Sequence, residues 1–229
     1  MSYFVTGTDT GVGKTLISCA LLHAIAEQGR RVAGFKPVAA GCDENEHNED
    51  ALALCAASTE QLACEQVNPY CFAPAIAPHL AAEFSGIRIE LSRILDAYRE
   101  LSGQVDEVVV EGAGGFLVPL NEQQDSADLA QLLGLPVVLV VGMRLGCLNH
   151  ALLTVRAIAG SGLECAGWVA NVVEAGMPAL QQNIDTLRNR IDAPLLGVVP
   201  YMANPDAHAV AELLNIELLN KDGEDGRIA

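Results

Sequence analysis

Nine residues near the start of the chain, Gly7-Thr8-Asp9-Thr10-Gly11-Val12-Gly13-Lys14-Thr15, combine three glycines with a lysine and a hydroxyl. That set suits a phosphate. Glycines let the backbone curl until successive N–H groups face phosphate oxygens, Lys14 can reach the β- and γ-phosphates, and Thr15 can offer its hydroxyl to Mg²⁺. Five residues separate Gly7 from Gly13, one more than the common phosphate-loop spacing, so Thr8 holds the motif's first position. A second set, Asp106 to Gly115, runs through the apolar Val108-Val109-Val110 into Glu111 and then Gly112, Ala113, Gly114 and Gly115. Glu111 is a metal candidate, and the small residues after it would let backbone approach a substrate or γ-phosphate; a tight turn with a solvated glutamate is the other reading. Lys36, in Lys36-Pro37-Val38, ends an apolar run where positive charge is scarce, although a snorkelling lysine would give the same pattern. Asp50 opens a helical stretch, where by itself it reads as a helix cap or first-turn acid.

These residues need a scaffold that brings them to one place. Short apolar runs predict strands over 3–6, 32–35, 107–111, 137–141, 166–170 and 195–198. Between them, apolar residues recur at helical spacing from Leu16 to Ile25 and over 50–57, 91–101, 127–133, 150–159 and 179–191, with Gly29 placed as a helix stop. A final helix is expected over 206–219 and a frayed polar tail over 220–229. Alternating strands and helices make an α/β chain with a mostly parallel sheet and helices on both faces, P-loop NTPase-like once the phosphate loop is placed after the first strand. The stretches 41–49 and 68–78 read as loops over the ligand-binding sheet edge. One domain over 1–219 is expected, with no repeat or linker dividing it.

Composition narrows the partners. Of 229 residues 51% are hydrophobic and 18% charged, which excludes disorder over most of the length. A formal charge of −16 repels nucleic acid and anionic membranes, so an anionic ligand must be held by a few local cations or by backbone N–H groups. The most apolar stretch, 132–143, is too short to span a bilayer, and the first residues lack a basic and then apolar leader. A cytoplasmic protein is expected. Its seven cysteines are odd in number and form no CxxC pair, which favours small buried hydrophobes in a reducing compartment, and the five histidines have no zinc spacing.

Taken in order, Gly-Thr-Asp-Thr-Gly-Val-Gly-Lys-Thr (7–15), Phe-Lys-Pro-Val-Ala (35–39), Asn-Glu-Asp-Ala-Leu (48–52), Asn-Pro-Tyr (68–70), Ala-Pro-His (77–79), Val-Glu-Gly-Ala-Gly-Gly (110–115), Gly-Cys-Leu-Asn-His-Ala (146–151) and Gly-Trp-Val-Ala-Asn (167–171) resemble the dethiobiotin synthetase family, from Tyr3 to about Asp206. The resemblance implies an ATP- and Mg²⁺-dependent ligase that closes the ureido ring of dethiobiotin from 7,8-diaminopelargonic acid and CO₂, by way of a carbamate and a carbamic–phosphoric anhydride. It implies Thr15, Asp50 and Glu111 as Mg²⁺ ligands, with Lys14 and Lys36 as the catalytic cations flanking the carbamate and the transferring phosphoryl group. For the nucleotide it points to Gly11, Val12, Gly13, Lys14, Thr15 and Leu16, to Gly112, Ala113 and Gly114, to Asn171 on the adenine, and to Pro200, Tyr201, Met202 and Asp206 around base and ribose. For the diamine it points to Thr10, Lys36, Ala40, Pro78 and His79. Leu145, Gly146, Cys147, Leu148 and Asn149 would receive the substrate carboxylate across a homodimer interface, although that segment also reads as ordinary helix capping.

Two positions depart from the family pattern. Ala40 stands where a Ser or Thr is usual, which removes a hydroxyl contact, and 174–183 has no aromatic residue to close over the substrate tail. The competing class is a partition-type P-loop ATPase switch, which places a lysine early in the loop where this chain has Asp9. A corrinoid-type ligase of the same fold carries a fused glutaminase domain, for which 229 residues leave no room.

Overall fold

The computed structural model describes residues 2–45 and 47–220. In chain order the elements are β1 (Tyr3–Gly7), α1 (Lys14–Glu27), β2 (Val32–Phe35), β3 (Val38–Ala40), α2 (Glu49–Ala57), α3 (Cys64–Val67), β4 (Tyr70–Phe72), α4 (Pro78–Phe84), α5 (Leu91–Ser102), β5 (Glu107–Glu111), α6 (Ser126–Leu133), β6 (Val137–Met143), α7 (Cys147–Gly160), β7 (Cys165–Val172), α8 (Leu180–Arg188), β8 (Leu195–Val199) and α9 (Ala207–Ala211), followed by a 3₁₀ turn over Ile216–Asn220. Six strands form a parallel sheet in the order β2-β5-β1-β6-β7-β8, and β3 pairs with β4 in a small parallel sheet beside it.

Apolar residues on both strand faces require cover on both sides. Tyr3, Val5, Val32, Val109, Val138, Val140 and Val169 pack into one layer with α1, α2 and α9. Their neighbours Phe4, Ala33, Phe35, Val108 and Val110 face α5 and α6, while Leu139, Val141, Trp168 and Ala170 face α7 and α8. The strand period of two then decides where the polar residues go. Glu111 lies two residues beyond Val109, and Asn171 two beyond Val169, so both point to the α1 side. Because every strand of the large sheet runs the same way, Gly7, Lys36, Glu111, Asn171 and Pro200 all arrive at the C-terminal edge, the ligand side of such sheets.

Three sequence expectations need correction. The helix expected over 206–219 is broken: α9 ends at Ala211, and Asn215 donates its backbone N–H to the Leu196 carbonyl on β8. Bonding to that edge strand satisfies a sheet group that a continuous helix would leave open. The stretch 68–78, expected as loop, contains β4 and leads into α4, which has Pro78 in its first turn. Cys42 and Cys71 are joined by a disulfide that ties the end of β3 to β4, against the expectation of cysteines acting only as reduced hydrophobes; β3–β4 pairing brings their Cα atoms to 6.0 Å. Cys19 and Cys147 are free and buried as expected, and Cys55, Cys64 and Cys165 are free and partly exposed. The polar tail over 221–229 lies outside the described residues.

Candidate active site

The phosphate loop joins the end of β1 to α1. Gly13 holds φ 88° at the helix start and no side chain caps the helix, so its first N–H groups face outward without a protein partner on the cap side. A Cβ on Gly13 would come within 2.2 Å of the Asn171 amide nitrogen, which donates to the Val12 carbonyl at 2.8 Å. Its φ favours glycine, and a Cβ there would push the Asn171 amide off the Val12 carbonyl. Lys14 folds back, and its Nζ donates to the Asp9 carbonyl at 3.0 Å. Burial, then the nearby Lys36 charge, pushes its pKa down to about 8 against the pull of Glu111, Asp50 and Asp9.

Across the loop, Lys36 Nζ lies 2.6 Å from Glu111 Oε1 and 2.9 Å from Asp50 Oδ2. The Thr15 hydroxyl lies 2.7 Å from Asp50 Oδ1 and 3.0 Å from Glu111 Oε1, and its one proton can serve either acceptor. Burial works to lower the Lys36 pKa, but the two carboxylates and their hydrogen bonds prevail and hold it above the ordinary lysine value. Burial likewise works against an ionised Asp50, and Lys36 with the Thr15 hydrogen bond overcomes it and keeps that carboxyl below its ordinary value.

The position of Asp50 follows from packing. A Cβ on Gly34 would stand 2.6 Å from Leu54 Cβ, so the missing side chain lets α2 settle on β2. Two residues along the strand lead to Lys36 and four back along the helix lead to Asp50, each a step of roughly 6 Å, so the pair meets. Asn48, rather than Asp50, caps α2: its Oδ1 accepts from the Asp50 and Ala51 N–H groups. Asp50 is thereby left in the first turn, facing the site.

Glu111 Oε2 is fully buried with no hydrogen-bond partner. An orphaned carboxylate oxygen beside a second carboxylate and a hydroxyl fits a hard divalent cation that keeps places for phosphate and water. Among the described residues no group of three or more His, Cys, Asp or Glu is gathered into a metal cage, and a nucleotide-bound Mg²⁺ does not need one.

A cavity of about 760 Å³ opens above this cluster. Thr10, Gly11, Gly13, Lys14, Thr15, Lys36, Ala40, Asp50, Pro78, Ala113 and Gly114 line it, joined by Val38, Ala39, Asn48, 75–77 and Val118, which sequence reading missed. Of these only Asn48 carried a usable signal, an Asn directly ahead of a helical stretch. Val12 is buried behind the loop and Leu16 lies further along α1. Asn171, Pro200, Tyr201, Met202 and Asp206 stand outside that cavity, on the β7–β8 side of the loop. His79 lines a separate cavity of about 390 Å³, where its Nδ1 is buried without a partner. The segment 145–149 is not part of the cavity wall either, and Leu145 is 96% exposed.

A parallel sheet with this loop, and a lysine and two carboxylates beside it, defines the class of P-loop nucleotide enzymes. A family model described as an AAA domain matches residues 1–209. The chain is 55% identical over 214 residues to the ATP-dependent dethiobiotin synthetase BioD of Nitrosospira multiformis, covering 93% of this chain and 94% of that one. It is 52% identical to the protein of the same name from Aromatoleum aromaticum, over 94% and 97% of the two chains. The chain belongs to the ATP-dependent dethiobiotin synthetase family and is accordingly a ligase. Solved structures resemble it in fold alone: the Aquifex aeolicus MinC:MinD cell division complex (TM-score 0.57, 13% identity, 100% and 99% coverage) and a ParA family ATPase from Chlorobium tepidum (TM-score 0.53, 12% identity, 96% and 94% coverage).

Proposed function

We propose that the cavity beside Lys14 and Lys36 closes the ureido ring of dethiobiotin from 7,8-diaminopelargonic acid, CO₂ and ATP, with residues 1–219 as one ligase domain. One amine of the diamine adds to CO₂ and loses a proton, giving a carbamate. A carbamate oxygen then takes the γ-phosphoryl group and ADP leaves. The second amine attacks the carbamoyl carbon, loses its proton and expels phosphate as the five-membered ring closes. Negative charge moves between oxygens at each step, and two fixed cations lining one cavity stabilise it without reorganising.

Lys14 belongs to the loop that takes the β- and γ-phosphates, and Lys36 to the β2 side, where Ala40 and Pro78 enclose the diamine. Cations there also favour the neutral, nucleophilic amine over its ammonium form. Thr15, Asp50 and Glu111 would hold Mg²⁺, which when bound supplies charge neutralisation at the phosphates. Glycine-rich backbone at 112–114 can come close to substrate or phosphate. Asn171, with one amide hydrogen on Val12, keeps a second hydrogen and its oxygen for the adenine edge, and Pro200, Tyr201, Met202 and Asp206 lie on the same side for base and ribose. Residues 145–149, with α7's first N–H groups, would bind the substrate carboxylate of a second copy in a homodimer. Use of ATP as a co-substrate fits a cytoplasmic location, and the charge of −16 fits neither nucleic acid nor a membrane as partner. No helix among the described residues is long and apolar enough to cross a membrane.

The observation that carries this reading is Lys36 held between Glu111 and Asp50 on the floor shared with the phosphate loop. Its test is incubation of purified protein with ATP, Mg²⁺, bicarbonate and the diamine, following dethiobiotin by mass and phosphate release. Matched formation of the two is expected. Phosphate release that ignores the diamine and yields no dethiobiotin would overturn the substrate assignment, and stimulation by DNA or liposomes would move the chain to the switch class.

A further inference from the structure

A carboxylate inside a phosphate-binding loop is an electrostatic liability, and Asp9 lies five residues before Lys14 in this one. Asp9 Oδ1 accepts the Thr10 N–H at 2.7 Å, and the Asp9 carbonyl accepts from Lys14. Its other carboxylate oxygen accepts from the Arg144 guanidinium, which reaches over from the end of β6. The Arg144 backbone is itself fixed, because its carbonyl accepts the Cys147 N–H in the turn that starts α7. Around the loop the charges then balance: Lys14, Lys36 and Arg144 against Asp9, Asp50 and Glu111. Without Arg144 the balance turns negative where a polyphosphate must sit. The ion pair is a poor staple for the fold, since its side chains are 32% and 48% exposed and such pairs contribute little to stability. Nor does Arg144 line the cavity above Lys36.

We propose that Arg144 is a positioning residue for the nucleotide: it neutralises Asp9 and locks residues 9–10, so that the loop can bind phosphates with a carboxylate in its rim. This rests on the reading of 7–15 as the nucleotide loop, and not on the identity of the second substrate. Calorimetric titration of the full chain with MgATP and MgADP, without diamine, reads it directly. Arg144→Gln is expected to weaken both nucleotides about tenfold at low salt, less at high salt, with an unchanged melting temperature. Arg144→Lys should stay within about threefold of the parent, since a cation remains. The decisive variant is Asp9→Asn combined with Arg144→Gln. It removes both charges and should recover most of the affinity, which a merely structural role would not allow.

Unchanged binding in Arg144→Gln, or a double variant as weak as the single one, overturns the proposal. If Arg144→Gln does not fold, Asp9→Asn with Arg144→Lys serves instead, and binding weaker than in Arg144→Lys alone overturns it. A protein that shows the expected pattern yet makes no dethiobiotin supports this inference and refutes the substrate assignment.

Discussion

Lys36, like Lys14, is a buried cation of the site, and its two carboxylate partners explain both how it stays charged and what its loss would do. Lys36→Met is expected to lower ring closure at least about a thousandfold while leaving ATP affinity within an order of magnitude, measured by turnover and by calorimetry. It should also cost about 3 kcal/mol in denaturant unfolding, because Glu111 would remain buried without its counter-charge. Lys14 behaves differently. Its pKa of about 8 means the ammonium is present below that pH and lost above it, and phosphate binding needs the ammonium. kcat/KM for ATP, which reports free-enzyme groups, should be flat up to about pH 8 and then fall by up to about tenfold per pH unit. A flat profile to pH 10 would contradict the lowered value. Both lysines were legible as residues, Lys14 from its motif and Lys36 from its place at a strand end, because their signals are local. Arg144 was not, because its partner stands 135 residues away.

Among the elements, α2 determines whether the proposed metal ligands meet. Asp50 and Thr15 are 35 residues apart in sequence, and no periodicity in either segment indicates that Gly34 lets Leu54, and with it the whole helix, approach β2. Gly34→Ala should destabilise the protein by about 1–3 kcal/mol through overpacking and raise the Mg²⁺ concentration needed for half-maximal turnover, because Asp50 moves with its helix. Unaltered Mg²⁺ dependence would separate α2 from metal binding. The small β3–β4 sheet was invisible beforehand because strands of three residues carry too little pattern to read. Its disulfide closes a 29-residue separation, so reduction should lower stability by about 3.6 kcal/mol on chain-entropy grounds, as a shift in the unfolding midpoint with and without reductant. The break after α9 was equally hidden, since it answers a demand from the edge of β8 and not from its own residues.

For the molecule as a whole, the strand order sets the division of labour. With β1 third in the sheet, the phosphate loop separates Lys36, just after β2, and Glu111, on β5, from Asn171 on β7, so the proposed chemistry and the proposed base recognition fall on opposite sides. Leu145, 96% exposed two residues ahead of α7, offers a test of the proposed homodimer. Leu145→Glu is expected to give a particle of one chain, 24.1 kDa by light scattering, with the KM for the diamine raised about tenfold and ATP binding unchanged. Composition and short motifs alone determined the α/β class, the six main strands and the phosphate loop, because burial on both faces and phosphate binding each impose a pattern within a few neighbouring residues; the family came from the resemblance of the ordered motifs to known proteins. The resemblance implied that Thr15, Asp50 and Glu111 share one ion, and the tertiary structure joins them with Lys36 in one hydrogen-bonded cluster; only that structure decided that Arg144 closes on Asp9, that Cys42 pairs with Cys71, and that His79 turns to a separate cavity. Each of those depends on how elements distant in sequence pack, and packing is set by shape and sheet order rather than by local spacing.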